Sequence, residues 1–287
     1  MDEKNVTLMI NSTFYDMLGE YNYFLGEVFP ELKKICKDHN ISIGYRDVAF
    51  SVPEDSIDGG IVLQDLRCID SDRTFFICFR GQKLGWRPTH ENIDWFTVDE
   101  YPEIINFIGS VSITELAIMH ALVPFDRCVD GKLTSLSPVK HSLFYFRNPS
   151  YLDNLSEDQL AFYANKSNGE LKETQDLEIA KAKDLIHETK HEFEKNNIEG
   201  PSIQIRYYDG IWDGEADVVD VLNEYSDAFS KIKDEPLDYF LRIHRHHICE
   251  DTRGCLTDFR CEGKTLKEVM IEDIMGELKR EFPENFE

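Results

Sequence analysis

Ser110-Val-Ser-Ile-Thr-Glu-Leu-Ala-Ile-Met-His-Ala-Leu122 is the stretch on which the fold turns. Ser112-Ile113-Thr114-Glu115 has the spacing of a capping box, in which a serine hydroxyl accepts from the third backbone N–H and the glutamate reaches back to the serine's own N–H. Leu116, Ile118, Met119 and Leu122 are too apolar for a surface helix, so the helix is expected to pack hard against a sheet. Glu115, in its first turn, then stands at the sheet's edge, where open α/β folds place their ligands. Two roles share this residue: it closes the cap, or it faces a ligand.

Working outward, Thr74-Phe-Phe-Ile-Cys-Phe79 is the most strand-like run in the chain and is expected at the centre of the sheet. Arg80-Gly81-Gln-Lys-Leu-Gly85-Trp86-Arg-Pro88 follows, a loop whose glycines permit tight backbone geometry and whose Arg80 and Trp86 offer a charge and a flat apolar face. On the other side of the helix, Val139–Phe146 reads as the next strand. Toward the N-terminus, Val6–Ile10 is a short apolar run expected to be buried on both faces. Asn11-Ser12-Thr13 then caps a helix through Phe14, Met17, Leu18, Tyr21 and Leu25, broken near Phe29 by Pro30. Ile41, Ile43 and Tyr45 alternate as a strand, and Gly59-Gly60 opens a helix through Ile69.

Toward the C-terminus, Leu171–Lys195 carries a helical stripe of Ile179, Ala182, Ile186 and Phe193. Ile203, Ile205 and Tyr207 alternate as a fifth strand, and Val218–Ile232 has helical spacing. Thr89–Phe107 reads as a long loop with room for a short helix, Pro124–Pro138 as a turn-rich link, and Leu152–Gly169 as polar and irregular. Five alternating β and α segments predict a parallel five-stranded sheet with helices on both faces, spanning residues 1–235. Residues 236–287 are expected to form a helical extension with Leu266, Val269, Ile274, Leu278 and Phe282 as its buried face.

With 287 residues the chain can bury a sizeable core. Its 55 acidic and 31 basic residues leave a net charge of −24, so nucleic acid is not an expected partner. Seven cysteines without a framework fit a reducing compartment. No apolar run approaches membrane-spanning length and the first residues lack a signal-peptide pattern, so a soluble cytoplasmic protein without membrane association is expected.

Three strings invite other chemistry. His187-Glu-Thr-Lys-His191 spells H-E-x-x-H on a helix. Lys190 stands between its histidines, on a wet face away from Ile186, so a solvated helix surface is expected rather than zinc. His244–Cys249 with Cys255 and Cys261 lacks C-x-x-C spacing and reads as a helix end with buried thiols, and no metal site is expected. Gly263-Lys264-Thr265 echoes the end of a phosphate loop, but Asp258 stands where its first glycine would be. Nucleotide hydrolysis by such a loop therefore has no motif support.

Several stretches together resemble one family: Asn11-Ser-Thr-Phe-Tyr-Asp16, Val28-Phe-Pro-Glu-Leu32, Asp70 with Phe75-Phe-Ile77, Gly81 with Gly85-Trp86-Arg-Pro88, Ser112–Leu116, and Phe144-Tyr-Phe-Arg147. It is the TIR-like domain at the N-terminus of STAND-type proteins, preceding a NACHT NTPase. Relatives occur in telomerase protein component one, in nephrocystin and NACHT/WD-repeat proteins, and in many bacteria. One departure is Ala49-Phe50-Ser51, where the family usually carries Arg-Trp-Gly. The resemblance implies a flavodoxin-like, TIR-like fold and a signalling domain that self-associates beside an NTPase in the same chain. It further implies that Glu115 is needed to cleave NAD as substrate, with no bound cofactor. Ser12, Thr13, Phe14, Arg80, Trp86 and Ser112 would then line the substrate pocket at the ends of the first and third strands. The alternative is a non-enzymatic interaction module in which Glu115 only caps its helix.

Overall fold

The computed structural model describes residues 3–13, 15–47, 60–91, 93–165, 170–196, 201–214 and 255–287. Apolar runs that alternate between two covered faces build its centre. Strands β1 (Lys4–Asn11), β2 (Ile41–Asp47), β3 (Thr74–Arg80), β6 (His141–Arg147) and β7 (Ser202–Asp213) pair in parallel in the order β2-β1-β3-β6-β7. Every residue of β3 and β6 is buried, as a parallel strand covered on both sides requires. Phe75, Ile77 and Phe79 face one apolar cluster, whereas Phe76 and Cys78 face another. That alternation is the period of two of a pleated strand.

On the first face lie α1 (Leu18–Tyr23) and α2 (Phe29–Asp38), joined by a π-helical turn, Phe24–Val28. Pro30 sits in the first turn of α2, and in place of the expected break near Phe29 the backbone stays helical through a π-helical turn that precedes the proline. On the second face lie α5 (Ile113–Leu122) and α7 (Glu170–Lys195), with Ala117, Ile118, Ala121 and Ile186 in its core. A smaller cluster joins α3 (Gly60–Ile69) to the segment before α5, through Leu66, Tyr101, Ile104 and Leu116. The expected loop Thr89–Phe107 holds α4 (Trp95–Glu100) and a 3-10 turn, Pro102–Asn106. Two ordered pieces went unread in the sequence: a hairpin of β4 (Arg127–Val129) and β5 (Lys132–Thr134), and helix α6 (Glu157–Tyr163).

Among the described residues the sheet has seven strands rather than the expected five. β8 (Cys255–Cys261) adds antiparallel to β7, and β9 (Lys264–Thr265) adds antiparallel to β8. In β8, Leu256, Phe259 and Cys261 are buried while Asp258 and Arg260 are exposed, a strand pattern inside the segment expected to be helical. Glu262 and Gly263, at φ of 52° and 82°, make the two-residue turn between the strands. Gly263-Lys264-Thr265 is thus a hairpin corner, and Thr265 with Glu268 forms the capping box of α8 (Leu266–Glu281). Leu266, Val269, Met270, Ile274, Leu278 and Phe282 complete the first-face core, so residues 255–287 share the core of the sheet rather than hanging from it. The expected helix Val218–Ile232, the boundary at 235 and His244–Cys249 lie outside the described residues. Among the described residues no helix is long and apolar enough to cross a membrane.

Candidate functional site

Two carboxyl-end segments, after β1 and after β3, meet at the head of α5. The Asn11 amide at the end of β1 donates to the Thr114 carbonyl at 3.1 Å, and the Thr114 hydroxyl donates to the Ser12 carbonyl at 3.4 Å. From β3's loop, the Trp86 carbonyl accepts from the Ile113 N–H at 2.9 Å. Gly85 lies so close that a Cβ there would stand 2.7 Å from Thr114 Oγ1, and the loop could not seat on α5 with a side chain at that position. Ser12, Thr13, Arg80, Ser112 and Glu115 are brought together in this way, all buried, while Trp86 is 38 % exposed at the rim. Phe14 lies outside the described residues.

Ser112 caps α5, its hydroxyl accepting from the Glu115 N–H at 3.3 Å. The reciprocal bond of the expected capping box is made by a different residue. Glu178 on α7 accepts from the Ser112 N–H at 3.1 Å through one oxygen and pairs with Arg87 through the other. Glu115 is thereby free of the cap and turns inward to a buried ion pair with Arg80 Nη2. Arg80 Nη1 donates to the Lys83 carbonyl at 2.7 Å. Burial pushes the Glu115 carboxyl above its ordinary value; Arg80 opposes this and Glu178 adds to it. Glu115 Oε2, Arg80 Nε, Ser12 Oγ and Thr13 Oγ1 have no hydrogen-bond partner among the described residues. Buried polar atoms are rarely left so, and four of them on adjoining segments mark the place where a ligand's polar groups would be rewarded.

A second charged cluster follows the same rule of an arginine closing a buried strand. Arg147, at the end of β6, donates to Glu20 Oε1 and to the Asp16 carbonyl, both at 2.7 Å, and lies over the Tyr151 ring at 4.6 Å. Tyr208 donates to the same Glu20 oxygen at 2.9 Å. Burial raises the Glu20 carboxyl while Arg147 works against it. In the sequence Arg147 and Arg87 stood out only within the stretches that carry the family resemblance, without a role, and Glu178 did not stand out at all. Arg147 could have been found, because it repeats the pattern of Arg80 after an unbroken apolar run. Glu178 carries no such signal, being one of many acids on a long helix.

Between the two arginines opens a cleft of about 390 Å³. It lies where β3 and β6 run out beside the middle of β7, displaced from the expected pocket at β1 and β3; Arg80 lines it, and Glu115 is not part of its wall. His187, from the H-E-x-x-H string, has its ring nitrogen 2.9 Å from the Tyr207 hydroxyl, and His191 is exposed. Among the described residues no three histidines, cysteines or acids gather as a metal site would require.

Set beside known proteins, the chain is 26 % identical over 160 residues to telomerase protein component 1 of Mus musculus, covering 54 % of this chain and 6 % of that protein. The Rattus norvegicus protein of that name is 25 % identical over 160 residues, with the same coverage. A TPR repeat-containing protein of Dictyostelium discoideum is 25 % identical over 170 residues, covering 54 % of this chain and 9 % of its own length. The match therefore spans less than a tenth of each curated relative. No family model matches, and no solved structure matches.

Proposed function

We propose that this chain is a TIR-like, flavodoxin-like module whose work is protein interaction and self-association within a larger assembly. Numbered along the chain, its parallel strands run 2-1-3-4-5, the order of flavodoxin-like sheets, and this supports the fold assignment. The matches to short portions of long proteins fit a module that serves a neighbour, and an NTPase of the STAND (NACHT) type is the neighbour the family resemblance implies. One observation carries the interaction reading. Trp95 and Phe96 open α4 with 61 % and 55 % of their surface in solvent, beside exposed Ile105 in the next turn. Large aromatic side chains left out of the core and set side by side are the residues from which interface hot spots are made. Trp95→Asp with Phe96→Asp is expected to shift self-association, followed by sedimentation, to at least about tenfold higher concentration. Unchanged sedimentation would remove this face from the proposal.

A second reading, NAD cleavage by Glu115, rests on the unpartnered Glu115 Oε2 beside the free Ser12 and Thr13 hydroxyls. Breaking the nicotinamide–ribose bond builds positive charge on the ribose, and a preplaced carboxylate stabilises it. Glu115 is 2 % exposed and held by Arg80, so in this conformation it is a closed site. Oligomerised protein incubated with NAD is expected to release nicotinamide, and Glu115→Gln to reduce that release by about a hundredfold or more. No turnover in any assembly state leaves the interaction module alone.

A further inference from the structure

The cleft where β3 and β6 run out beside the middle of β7 has more bases than acids on its wall, in a molecule with the opposite balance. In a chain with 55 acids against 31 bases, its wall carries Arg80, Arg147, Lys172 and Lys183 against Asp176 alone. Lys172 and Asp176 cancel as an ion pair at 3.0 Å. The two guanidiniums are neutralised from behind by Glu115 and by Asp16 with Glu20, yet each keeps an Nε–H without a partner among the described residues. Lys183 has no carboxylate partner among the described residues. Its ammonium lies 4.5 Å from the centre of the Tyr207 ring and 5.3 Å from that of Phe146, rings that stack on each other at 5.5 Å. Pro149, Leu152, Ala164 and Ile179 add an apolar part of the wall, and Gln82 and Asn148 add uncharged polar side chains.

A cation fixed over two stacked rings beside an apolar part of the wall makes a site for one anionic group and one flat body. Inorganic phosphate would leave the apolar half in contact with water, and an uncharged ring would leave Lys183 unpaired. The volume of about 390 Å³ lies within the range of small-molecule sites. We propose that this cleft binds a small organic anion of mononucleotide type, its phosphate held by Lys183 and its ring against Phe146, Tyr207 and Ile179. This site adjoins the Glu115 site through Arg80 and does not depend on NAD cleavage.

Calorimetry on the 287-residue chain with adenosine monophosphate, adenosine and inorganic phosphate tests it. The monophosphate is expected to bind one to one and more tightly than either fragment. Lys183→Glu should weaken it by about tenfold or more while Lys183→Arg retains it, since Lys183 is on the surface of a helix and both variants should melt like the parent. The proposal is overturned if the monophosphate does not bind at millimolar concentration, if adenosine binds equally well, or if Lys183→Glu changes nothing.

Discussion

At the scale of single residues, the pairing of Arg80 with Glu115 governs how the site can behave. Both side chains are 2 % exposed, so neither charge has water to fall back on if the other is removed. Arg80→Met should therefore cost about 3–5 kcal/mol in urea denaturation, and the double variant Arg80→Met/Glu115→Leu should recover much of that loss. The pH dependence follows from the direction of the Glu115 shift. A carboxyl whose folded pKa is raised favours the folded state below the ordinary carboxylate value, and this contribution is lost as pH rises through the folded pKa. Losing Arg80 raises that pKa further, so the penalty of Arg80→Met should be smallest near pH 4 and largest near neutrality. A penalty independent of pH would mean that Glu115 is not the group left uncompensated. Part of this was legible: Ser112 as a cap and Arg80 at a strand end were both readable in the chain. The pairing was not, because Glu115 is released from its cap by Glu178, which takes the Ser112 N–H from 66 residues further along the chain.

At the scale of elements, α8 shows how a charged helix face can be bound to a sheet. Glu277 accepts from Ser202 at 2.8 Å and from Gln204 at 3.1 Å, and lies 2.8 Å from His141 Nδ1. Arg206 grips Asp273, one turn earlier, at 2.6 and 3.0 Å. Burial alone would raise the Glu277 carboxyl, but the bonds from His141, Gln204 and Ser202 outweigh it and hold the group below the ordinary carboxylate range. The sign is opposite to that of Glu115. A lowered pKa contributes stability above the unfolded value, and this is lost as pH falls through the folded one. Glu277→Gln should cost about 1.5–3 kcal/mol at neutral pH and should flatten the acid limb of the stability curve, measured by denaturant melts from pH 7 down to 3. An acid limb as steep as the parent's would assign it to other carboxylates. The apolar stripe of α8 was readable from its spacing. Its destination was not, because the alternating run in β8 was hidden in a segment read as helical throughout.

At the scale of the whole molecule, the question is what belongs to one folding unit. Leu266, Val269, Met270, Ile274, Leu278 and Phe282 lie in the same apolar cluster as Leu8, Phe75 and Leu143 of the central strands. A chain ending at residue 235 would open that face of the sheet to water. With about 1.5–3 kcal/mol for each large apolar side chain removed from its partners, the loss exceeds the usual stability of a domain. The truncated chain is expected to lose its near-ultraviolet circular dichroism and its cooperative melt, whereas retention of both would show that residues 236–287 are a separable extension. Whereas the expected Asn11–Thr13 cap is not made and α1 follows Met17 with no side-chain cap, the amino-acid sequence by itself determined the five parallel strands, the helix with Glu115 at its head and the Ser112 cap that begins it. Each of these depends on neighbours in the chain, through periodicity, β-branched and aromatic runs, and hydroxyl caps. Only the tertiary structure decided the seven-stranded sheet, the Arg80–Glu115 and Arg147–Glu20 pairs, and a cleft beside the expected pocket. Those depend on which of many equivalent acids and bases the folded backbone brings within hydrogen-bond reach after water has been excluded, and no local pattern encodes that choice.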